Sequence, residues 1–278
     1  MKVVKLMGGL GNQMFQYAFG QALGKHTYYD TSWFNNVRNS QNVTIREYEL
    51  DFFKCTPKII SEKEIKKQKT NPLFKILGIK NNLPDIHEAK YNIYEPELLK
   101  HKEGIFEGYF QAAQYYMDIR PQLLKDFVPC QKPNEMNGQL LKNIQSANSI
   151  SIHVRRGDYI QLQNTHGLCD LDYYKKAVRL IKEKVKNPHF FLFSDDIPWV
   201  TKNLKIDGPF TIVDNNKGRE GAWDMWLMKH CKHNIIANSS FSWWGAWLNE
   251  NPDKIVIAPK QWFVKGKTDI VPDDWERI

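Results

Sequence analysis

The regular alternation of strands and helices in the second half of the chain constrains its fold most. Short apolar segments typical of strands lie at residues 149–154, 189–193, 210–213, 234–237 and 254–258. Segments with helical periodicity lie between several of them, at residues 172–186, 220–231 and 241–249. Strands that alternate with helices of about ten to fifteen residues predict a parallel, doubly wound α/β sheet.

A glycine-rich turn indicates that the first half also begins as an α/β unit. The apolar segment at residues 2–7 runs through Gly8-Gly9-Leu10-Gly11-Asn12-Gln13 into an apolar-rich helix. Met14 stands where the dinucleotide fingerprint needs a third glycine, so the turn indicates only a close approach of the backbone to a ligand such as a sugar. Asn12 and Gln13 suit hydroxyl groups, and Asn12 has a second interpretation as the helix N-cap.

The length of the chain and a candidate linker predict two lobes. The 278 residues slightly favour two lobes of ordinary size. Residues 129–134 read as an interlobe linker, and a short helix follows up to residue 145. We therefore assign residues 1–145 to an N-terminal lobe and residues 146–278 to a C-terminal lobe.

The formal net charge of +8 predicts acidic partners such as nucleotides or an anionic membrane surface. Much of the excess lies at residues 58–80, which we interpret as a solvated helix face, with a peripheral membrane contact as the alternative. No nucleic-acid recognition motif accompanies the charge, so a nucleic-acid partner is not expected.

The cysteines and the apolar segments favour a cytoplasmic protein. The four cysteines are scattered without paired spacing, which suits free thiols in a reducing compartment. Residues 2–7 are too short for a signal peptide, and no apolar run approaches the ~18 residues of a membrane span.

Three polar clusters follow strands of the predicted C-terminal sheet, at residues 155–158, 194–196 and 238–240. The carboxyl ends of parallel strands meet at one edge, where open α/β sheets bind ligands. The guanidinium of Arg155 fits a phosphate bidentately, and the cluster at 238–240 opens a helix whose dipole favours an anion. Together they predict a pyrophosphate site without a metal ion, while Asp195 offers a carboxylate to a guanine base.

Each cluster also has a plain structural interpretation. Asp195 or Asp196 suits the N-cap of the next helix, and residues 238–240 suit a capping turn. Asp170-Leu171-Asp172 matches the DxD metal pattern of many glycosyltransferases, but its place at a helix start favours capping, so we expect no metal. Trp243, Trp244 and Trp247 lie on one helix, and core packing is favoured for at least two of them.

Long, ordered motifs carry a resemblance to a known family. They are Gly8-Gly9-Leu10-Gly11-Asn12-Gln13-Met14-Phe15-Gln16-Tyr17-Ala18, His153-Val154-Arg155-Arg156-Gly157-Asp158-Tyr159, Phe193-Ser194-Asp195-Asp196 and Asn238-Ser239-Ser240-Phe241-Ser242-Trp243-Trp244-Gly245-Ala246-Trp247-Leu248. With them the chain resembles a bacterial α-1,2-fucosyltransferase of glycosyltransferase family 11.

The resemblance implies a GT-B-like architecture of two Rossmann-like lobes with a cleft between them. The C-terminal lobe would bind GDP-β-L-fucose, and the N-terminal lobe the acceptor, a galactose-terminated oligosaccharide or lipid-linked glycan. The substrate-binding residues implied are Asn12, His153, Arg155, Asp195, Asn238, Ser239, Ser240 and Phe241. Among them, Arg155 would hold the diphosphate and Asp195 the guanine, while Asn12 would reach into the cleft from the other lobe.

The resemblance also implies the reaction, transfer of fucose to the 2-hydroxyl of a terminal galactose in surface-glycan assembly. A β-linked donor and an α-linked product require inversion, with charge stabilisation on GDP by Arg155 and a base for the acceptor hydroxyl. Asp158 is the candidate base, although a carboxylate paired with arginine has a lowered pKa and is a poor base. No cofactor is expected.

Two alternatives stay open at this point. A GDP-fucose transferase could use another acceptor or linkage, which product analysis would reveal. From a different class, a non-catalytic glycan- or nucleotide-binding protein could use the many aromatic residues for stacking, and transfer by the purified chain would exclude it.

Overall fold

The chain forms two compact α/β units. The structure, a computed structural model, describes residues 1–36, 45–69, 83–90, 92–157, 159 and 167–278. The first unit contains residues 1–130 and 268–270, and the second contains residues 131–267 and 271–278. The division after Cys130 falls inside the predicted linker. The helix Glu135–Ser146 lies in the second unit, whereas the predicted N-terminal lobe extends to residue 145.

The first unit contains one sheet of parallel strands. Its strands are β1 (Lys2–Lys5), β2 (Thr27–Asp30), β3 (Ile59–Ile60), β4 (Asp85–His87) and β5 (Gly104–Glu107). Its α-helices are α1 (Leu10–Leu23), α2 (Ser32–Asn36), α3 (Glu62–Lys69) and α4 (Arg120–Asp126). Short 3-10 turns cover Leu50–Phe52, Pro96–Lys100, Ala113–Tyr115 and Met117–Ile119.

The strand order of this sheet is β3-β2-β1-β5-β4, and every pairing is parallel. Successive side chains point to opposite faces, so Val3 and Ile105 pack with Ile65 of α3 on one side. On the other side, the ring of Phe106 meets Phe19 of α1 edge to face, with the ring centres 5.6 Å apart. Both faces are therefore covered, as parallel sheets require.

The second unit is built in the same way from the rest of the chain. Its strands are β6 (Asn148–Val154), β7 (Pro188–Ser194), β8 (Phe210–Val213), β9 (His233–Ile235), β10 (Val256–Ala258) and β11 (Glu276–Arg277). Its helices are α5 (Glu135–Ser146), α6 (Leu171–Lys184), α7 (Ile197–Asn203), α8 (Ala222–His230) and α9 (Ser240–Trp247), with a 3-10 turn at Gly218–Gly221.

This second sheet is doubly wound, as the sequence predicted. The strand order is β11-β10-β9-β6-β7-β8, again entirely parallel. On β7, Phe190 and Leu192 enter a core with α6, whereas Phe191 and Phe193 enter the opposite core with α5 and α8. A strand buried on both faces reads as one continuous apolar run, which is why residues 190–193 lack polar alternation.

Two local predictions have different outcomes. The sequence from Gln114 to Lys125 predicts one helix that carries Pro121, and this prediction is wrong. Two 3-10 turns come first, and α4 starts at Arg120 with Pro121 in its first turn. Proline lacks a backbone N–H and is tolerated only at a helix start, so it restarts the helix there. The packing prediction for α9 is confirmed, since Trp243, Trp244 and Trp247 are all buried.

Other sequence features concern the surface and the thiols. Cys55, Cys130, Cys169 and Cys231 are all free. None of the helices described in the structure has the length and apolar character needed to cross a membrane. In the basic run, Lys66 pairs with Glu62 of the same helix, and residues 70–80 lie outside the described parts of the chain.

Candidate functional site

The topology of the second sheet marks the position of a ligand site. From β6 the chain proceeds to β7 and β8 on one side, then crosses to β9 and β10 on the other side of β6. Open α/β sheets bind ligands beyond the carboxyl ends of the strands where the order reverses in this way. Here that place lies between the ends of β6 and β9, which lead into Arg155 and into residues 236–240.

Arg155 is held at this edge by two neighbours. Its Nη1 lies 3.1 Å from Oδ2 of Asp195, and its guanidinium lies over the Tyr159 ring at 5.5 Å from the ring centre. The side chain is 21% exposed, so the charge is partly desolvated yet reachable from solvent. A guanidinium fixed in this way loses little rotamer entropy when it binds a phosphate.

Arg156 contacts a different set of residues from Arg155 and stabilises the loop. Its Nε lies 3.2 Å from Oδ2 of Asp196, and its guanidinium stacks over Trp199 at 4.0 Å from the ring centre. Its backbone N–H donates to Oδ1 of Asp195 at 2.9 Å. Both carboxylate oxygens of Asp195 therefore order the arginine loop, and a contact of Asp195 with guanine stays a prediction.

Gly157 and Asp196 complete this turn. A Cβ on Gly157 would lie 2.5 Å from Oδ2 of Asp195, so a larger residue would displace the carboxylate that holds Arg155. The capping interpretation applies to Asp196, whose Oδ1 accepts the backbone N–H of Trp199 at 3.1 Å to cap α7. Asp158, the candidate base, lies outside the described residues.

In residues 238–240, the first two side chains make structural hydrogen bonds, and the third offers its hydroxyl to a ligand. The Asn238 side chain donates to the carbonyls of Trp262 (3.1 Å) and Gly167 (3.4 Å) and is buried, so it fixes loops. Ser239 Oγ accepts the N–H of Phe241 at 3.3 Å and caps α9, as the capping interpretation predicted. Ser240 begins the helix, and its hydroxyl makes no hydrogen bond to any described residue. The hydroxyl of Ser240 and the dipole of the helix are what this segment can offer an anion.

His153 is buried between these elements with its ring centre 5.7 Å from that of Phe241. Burial, together with the charge of Arg155, lowers its pKa to about 3, so the imidazole is neutral at physiological pH. Its Nδ1 has no hydrogen-bond partner among the described residues, although it is buried. Buried polar atoms are normally paired, so His153 has an unused hydrogen-bonding position beside Arg155.

A buried polar cluster that the sequence reasoning missed lies at the end of β8. Asn216 exchanges side-chain hydrogen bonds with Asn137 of α5 at 2.9 and 3.0 Å. It also donates to Oδ1 of Asp224 of α8 at 2.7 Å. Burial raises the pKa of Asp224 to about 7. No sequence motif marked this cluster, because its members come from three separate segments.

In the first unit, the glycine-rich turn places Asn12 at the start of α1. The N-cap of α1 is Gly9, with no side-chain hydrogen bond, so the capping interpretation of Asn12 is wrong. Asn12 Oδ1 instead accepts from Nε2 of Gln111 at 2.8 Å. Gln13 is fully buried and binds backbone groups of Gly8, Glu47 and Glu49, so it stabilises loops.

The DxD pattern is a helix cap. Asp170 Oδ1 accepts the N–H of Tyr173 at 2.8 Å at the start of α6, and Asp172 lies exposed beside Lys175. In the parts of the chain that the structure describes, no three His, Cys, Asp or Glu side chains are grouped as metal ligands. The metal-free pyrophosphate site stays a prediction for experiment.

Comparisons with known proteins agree with this architecture. A family model described as Glycosyl transferase family 11 matches residues 1–278. The O-antigen biosynthesis glycosyltransferase WbnK of Escherichia coli is 36% identical and covers 97% of this chain and 98% of its own. An alpha-1,2-colitosyltransferase of Escherichia coli is also 36% identical, over 99% of this chain and 98% of its own.

More distant proteins extend the comparison. Galactoside alpha-(1,2)-fucosyltransferase 2 of Rattus norvegicus is 25% identical over 93% of this chain and 69% of its own. Among solved structures, the NodZ alpha-1,6-fucosyltransferase co-crystallized with GDP superposes with a TM-score of 0.50 at 14% identity. That match covers 87% of this chain and 90% of the other, and it supports the two-lobed, GT-B-like fold.

Proposed function

Since this chain belongs to glycosyl transferase family 11, we propose that it transfers L-fucose from GDP-β-L-fucose to the 2-hydroxyl of a terminal galactose in a glycan. The observation that carries the proposal is Arg155, which Asp195 and Tyr159 hold at the switch point of the second sheet. A bacterial relative named for O-antigen biosynthesis and a mammalian galactoside fucosyltransferase support the acceptor class.

In the proposed reaction, the second unit stabilises the departing GDP. As the bond between the fucose anomeric carbon and the diphosphate oxygen breaks, negative charge grows on the diphosphate. Arg155 and the start of α9 at Ser240 supply positive charge at that position without reorganising, which lowers the barrier. Inversion follows when the acceptor oxygen attacks from the opposite face of the sugar.

The acceptor hydroxyl must lose its proton during this step. His153 is neutral at physiological pH, but a pKa lowered to about 3 makes its imidazole a weak base for this proton. It is also buried beside the ring of Phe241, which limits its access to an acceptor. Asp158 remains the proposed base, and an Asp158→Asn variant with unchanged turnover would remove it from the mechanism.

A second candidate donor deserves a direct test, because a relative with 36% identity is named an alpha-1,2-colitosyltransferase. Colitose is fucose without its 3-hydroxyl group. The purified chain would be incubated with GDP-fucose or GDP-colitose and a panel of galactose-terminated acceptors, with NMR analysis of each product linkage. An α-1,2-fucosylated galactoside as the main product supports the proposal. A preference for GDP-colitose overturns the proposed donor, and another product linkage overturns the proposed acceptor position. No transfer from either donor favours a binding protein.

The proposal places the enzyme in the cytoplasm. A solvated face is the favoured interpretation of the basic run at residues 58–80, and contact with an anionic membrane face is the alternative. The free thiols and the charge of that run support this placement. Co-sedimentation with vesicles containing anionic lipid, compared with neutral vesicles, tests the contact. Equal recovery with both vesicle types would contradict it.

A further inference from the structure

The first sheet has a switch point of its own. From β1 the chain proceeds to β2 and β3 on one side, and it later fills the other side with β4 and β5. The carboxyl ends of β1 and β5 therefore flank a crevice of the kind in which α/β sheets bind ligands. The glycine-rich turn that begins at Gly8 and the loop at residues 108–111 lie at this edge.

Two side-chain amides meet there. Gln111, only 7% exposed, donates its Nε2 hydrogen to Oδ1 of Asn12 at 2.8 Å. Within the described residues, Nδ2 of Asn12 and Oε1 of Gln111 make no hydrogen bond, so the pair keeps donor and acceptor capacity. Gln13 and Gln16, the other amides near this turn, use both ends of their side chains on backbone groups.

A buried carboxylate sets the loop that carries Gln111. Oε2 of Glu88 accepts the backbone N–H groups of Tyr109 (2.8 Å) and Phe110 (3.2 Å), and Oε1 accepts that of Asn92 (3.0 Å). Glu88 is 5% exposed, and burial raises its pKa. The close approach requires Gly108, because a Cβ there would lie 2.7 Å from the Cβ of Glu88.

The residue next to Gln111 is conformationally strained. Phe110 has a φ of +51°, in the left-handed region that a bulky residue avoids. Its ring stacks on Phe19 with the ring centres 3.9 Å apart and the planes 7° apart, which holds the backbone in place. A strained backbone conformation persists only where the surrounding contacts enforce it, and such conformations are concentrated at functional sites.

We propose that Asn12 and Gln111 bind hydroxyl groups of the acceptor sugar, and that Glu88 is a positioning residue that holds Gln111 against Asn12. The identity of the sugar rests on the proposed function. A sugar hydroxyl both donates and accepts, and the unused ends of this amide pair offer one group of each kind. The pair lies in the unit for which the sequence predicted acceptor binding.

The first test compares Gln111→Leu with Gln114→Leu, since Gln114 is exposed three residues further along. With methyl β-D-galactopyranoside as acceptor, Gln111→Leu should raise the acceptor KM by about 3- to 10-fold, the scale of one lost neutral hydrogen bond. The donor KM and the melting temperature should match those of Gln114→Leu. An unchanged acceptor KM, or a rise in the donor KM alone, would overturn the assignment.

The second test separates positioning from simple stability. Glu88→Gln should raise the acceptor KM in the wild-type background but cause no further rise in the Gln111→Leu background, because it acts through Gln111. Additive effects would contradict the positioning role. Glu88→Asp, which keeps the charge but shortens its reach, gives the same comparison if the glutamine variant does not fold.

A third measurement does not depend on transfer. Saturation-transfer NMR would record binding of methyl β-D-galactopyranoside to the full chain with GDP present. Binding by the wild type that is weaker in Gln111→Leu supports the site even if GDP-fucose is not the donor. Equal binding by both proteins, or no binding by either, overturns it.

Discussion

Arg155 shows how a single residue gains its chemistry from its neighbours. The guanidinium alone would be a flexible surface cation. Its ion pair with Asp195 and its position over the Tyr159 ring fix the planar fork at the sheet edge. Asp195 in turn is oriented by the backbone N–H of Arg156, so the position of Arg155 depends on the whole arginine loop.

A lysine at position 155 keeps the positive charge but removes the planar guanidinium, and it therefore tests the role of this group of residues. We expect Arg155→Lys to lower kcat at least about 100-fold, because an ammonium group cannot reproduce bidentate contact with a phosphate. The measurement is steady-state transfer at saturating donor. Arg179→Lys, on the exposed surface of α6, is the matched control and should leave kcat unchanged. Turnover near that of the wild type in Arg155→Lys would exclude the anion-binding role.

Two glycines predict opposite effects of the same substitution. Gly8 has a φ of +77°, and a Cβ on it would lie 2.7 Å from Nδ2 of Asn12. Gly8→Ala should therefore lower the free energy of unfolding by roughly 1–2 kcal/mol. Gly138 lies within α5 with nothing near its Cβ position, so Gly138→Ala should stabilise by about 0.5–1 kcal/mol. Chemical denaturation of both variants checks the pair, and the same sign for both would contradict this account.

At the scale of elements, the buried amides tie α5, the end of β8 and α8 together. Asn137, Asn216 and Asp224 satisfy one another in a region from which water is largely excluded. A buried network is stable only when its members are paired, and here the carboxyl of Asp224 favours its neutral form. The pKa of Asp224 is raised to about 7 chiefly by burial, from an ordinary value of 3.8.

This raised pKa predicts how stability depends on pH. Between about pH 4 and 7 the folded state holds a proton on Asp224 that the unfolded state releases, so stability falls as pH rises through this window. Relative to Asp224→Asn, the wild type should lose on the order of a few kcal/mol across it. Thermal or urea unfolding from pH 4 to 8 measures the difference. Asp118→Asn, at an exposed position of the first unit, should behave like the wild type. Parallel curves for Asp224→Asn and the wild type would refute the shift.

At the scale of the whole molecule, the two units share one construction. Each contains a parallel sheet whose order reverses beside one central strand, β1 in the first and β6 in the second. Each reversal carries polar residues at the carboxyl edge, amides in the first unit and arginines in the second. This division suits a proposed enzyme that must hold a neutral sugar and a charged nucleotide.

The proposed binding of the diphosphate by Arg155 and a helix start predicts that transfer does not depend on divalent metal ions. We expect transfer activity to be unchanged within about twofold after treatment with EDTA, because Arg155 supplies the charge that a metal ion would otherwise supply. Added manganese should not increase the rate. Loss of activity in EDTA that manganese restores would overturn this expectation.

Much of the fold was predictable because its signals are local. The apolar runs of β6 and β7, the glycine turn before α1 and the proximity of Arg155 and Asp195 all follow from periodicity and from the rule that parallel strands end at one edge. The helix predicted over residues 114–125 failed because Pro121 restarts the helix where periodicity alone shows no break.

What the sequence determined by itself was therefore the family, the doubly wound sheet and the arginine motif that we propose to bind an anion, because each is written in local patterns. Only the tertiary structure decided that Asp195 orders Arg155 and the Arg156 backbone, that Asn12 binds Gln111 and that Asp224 joins an amide cluster. These contacts pair residues that are 8 to 99 positions apart along the chain. Long-range hydrogen bonds depend on how strands and loops are ordered in space, and no local pattern records that order.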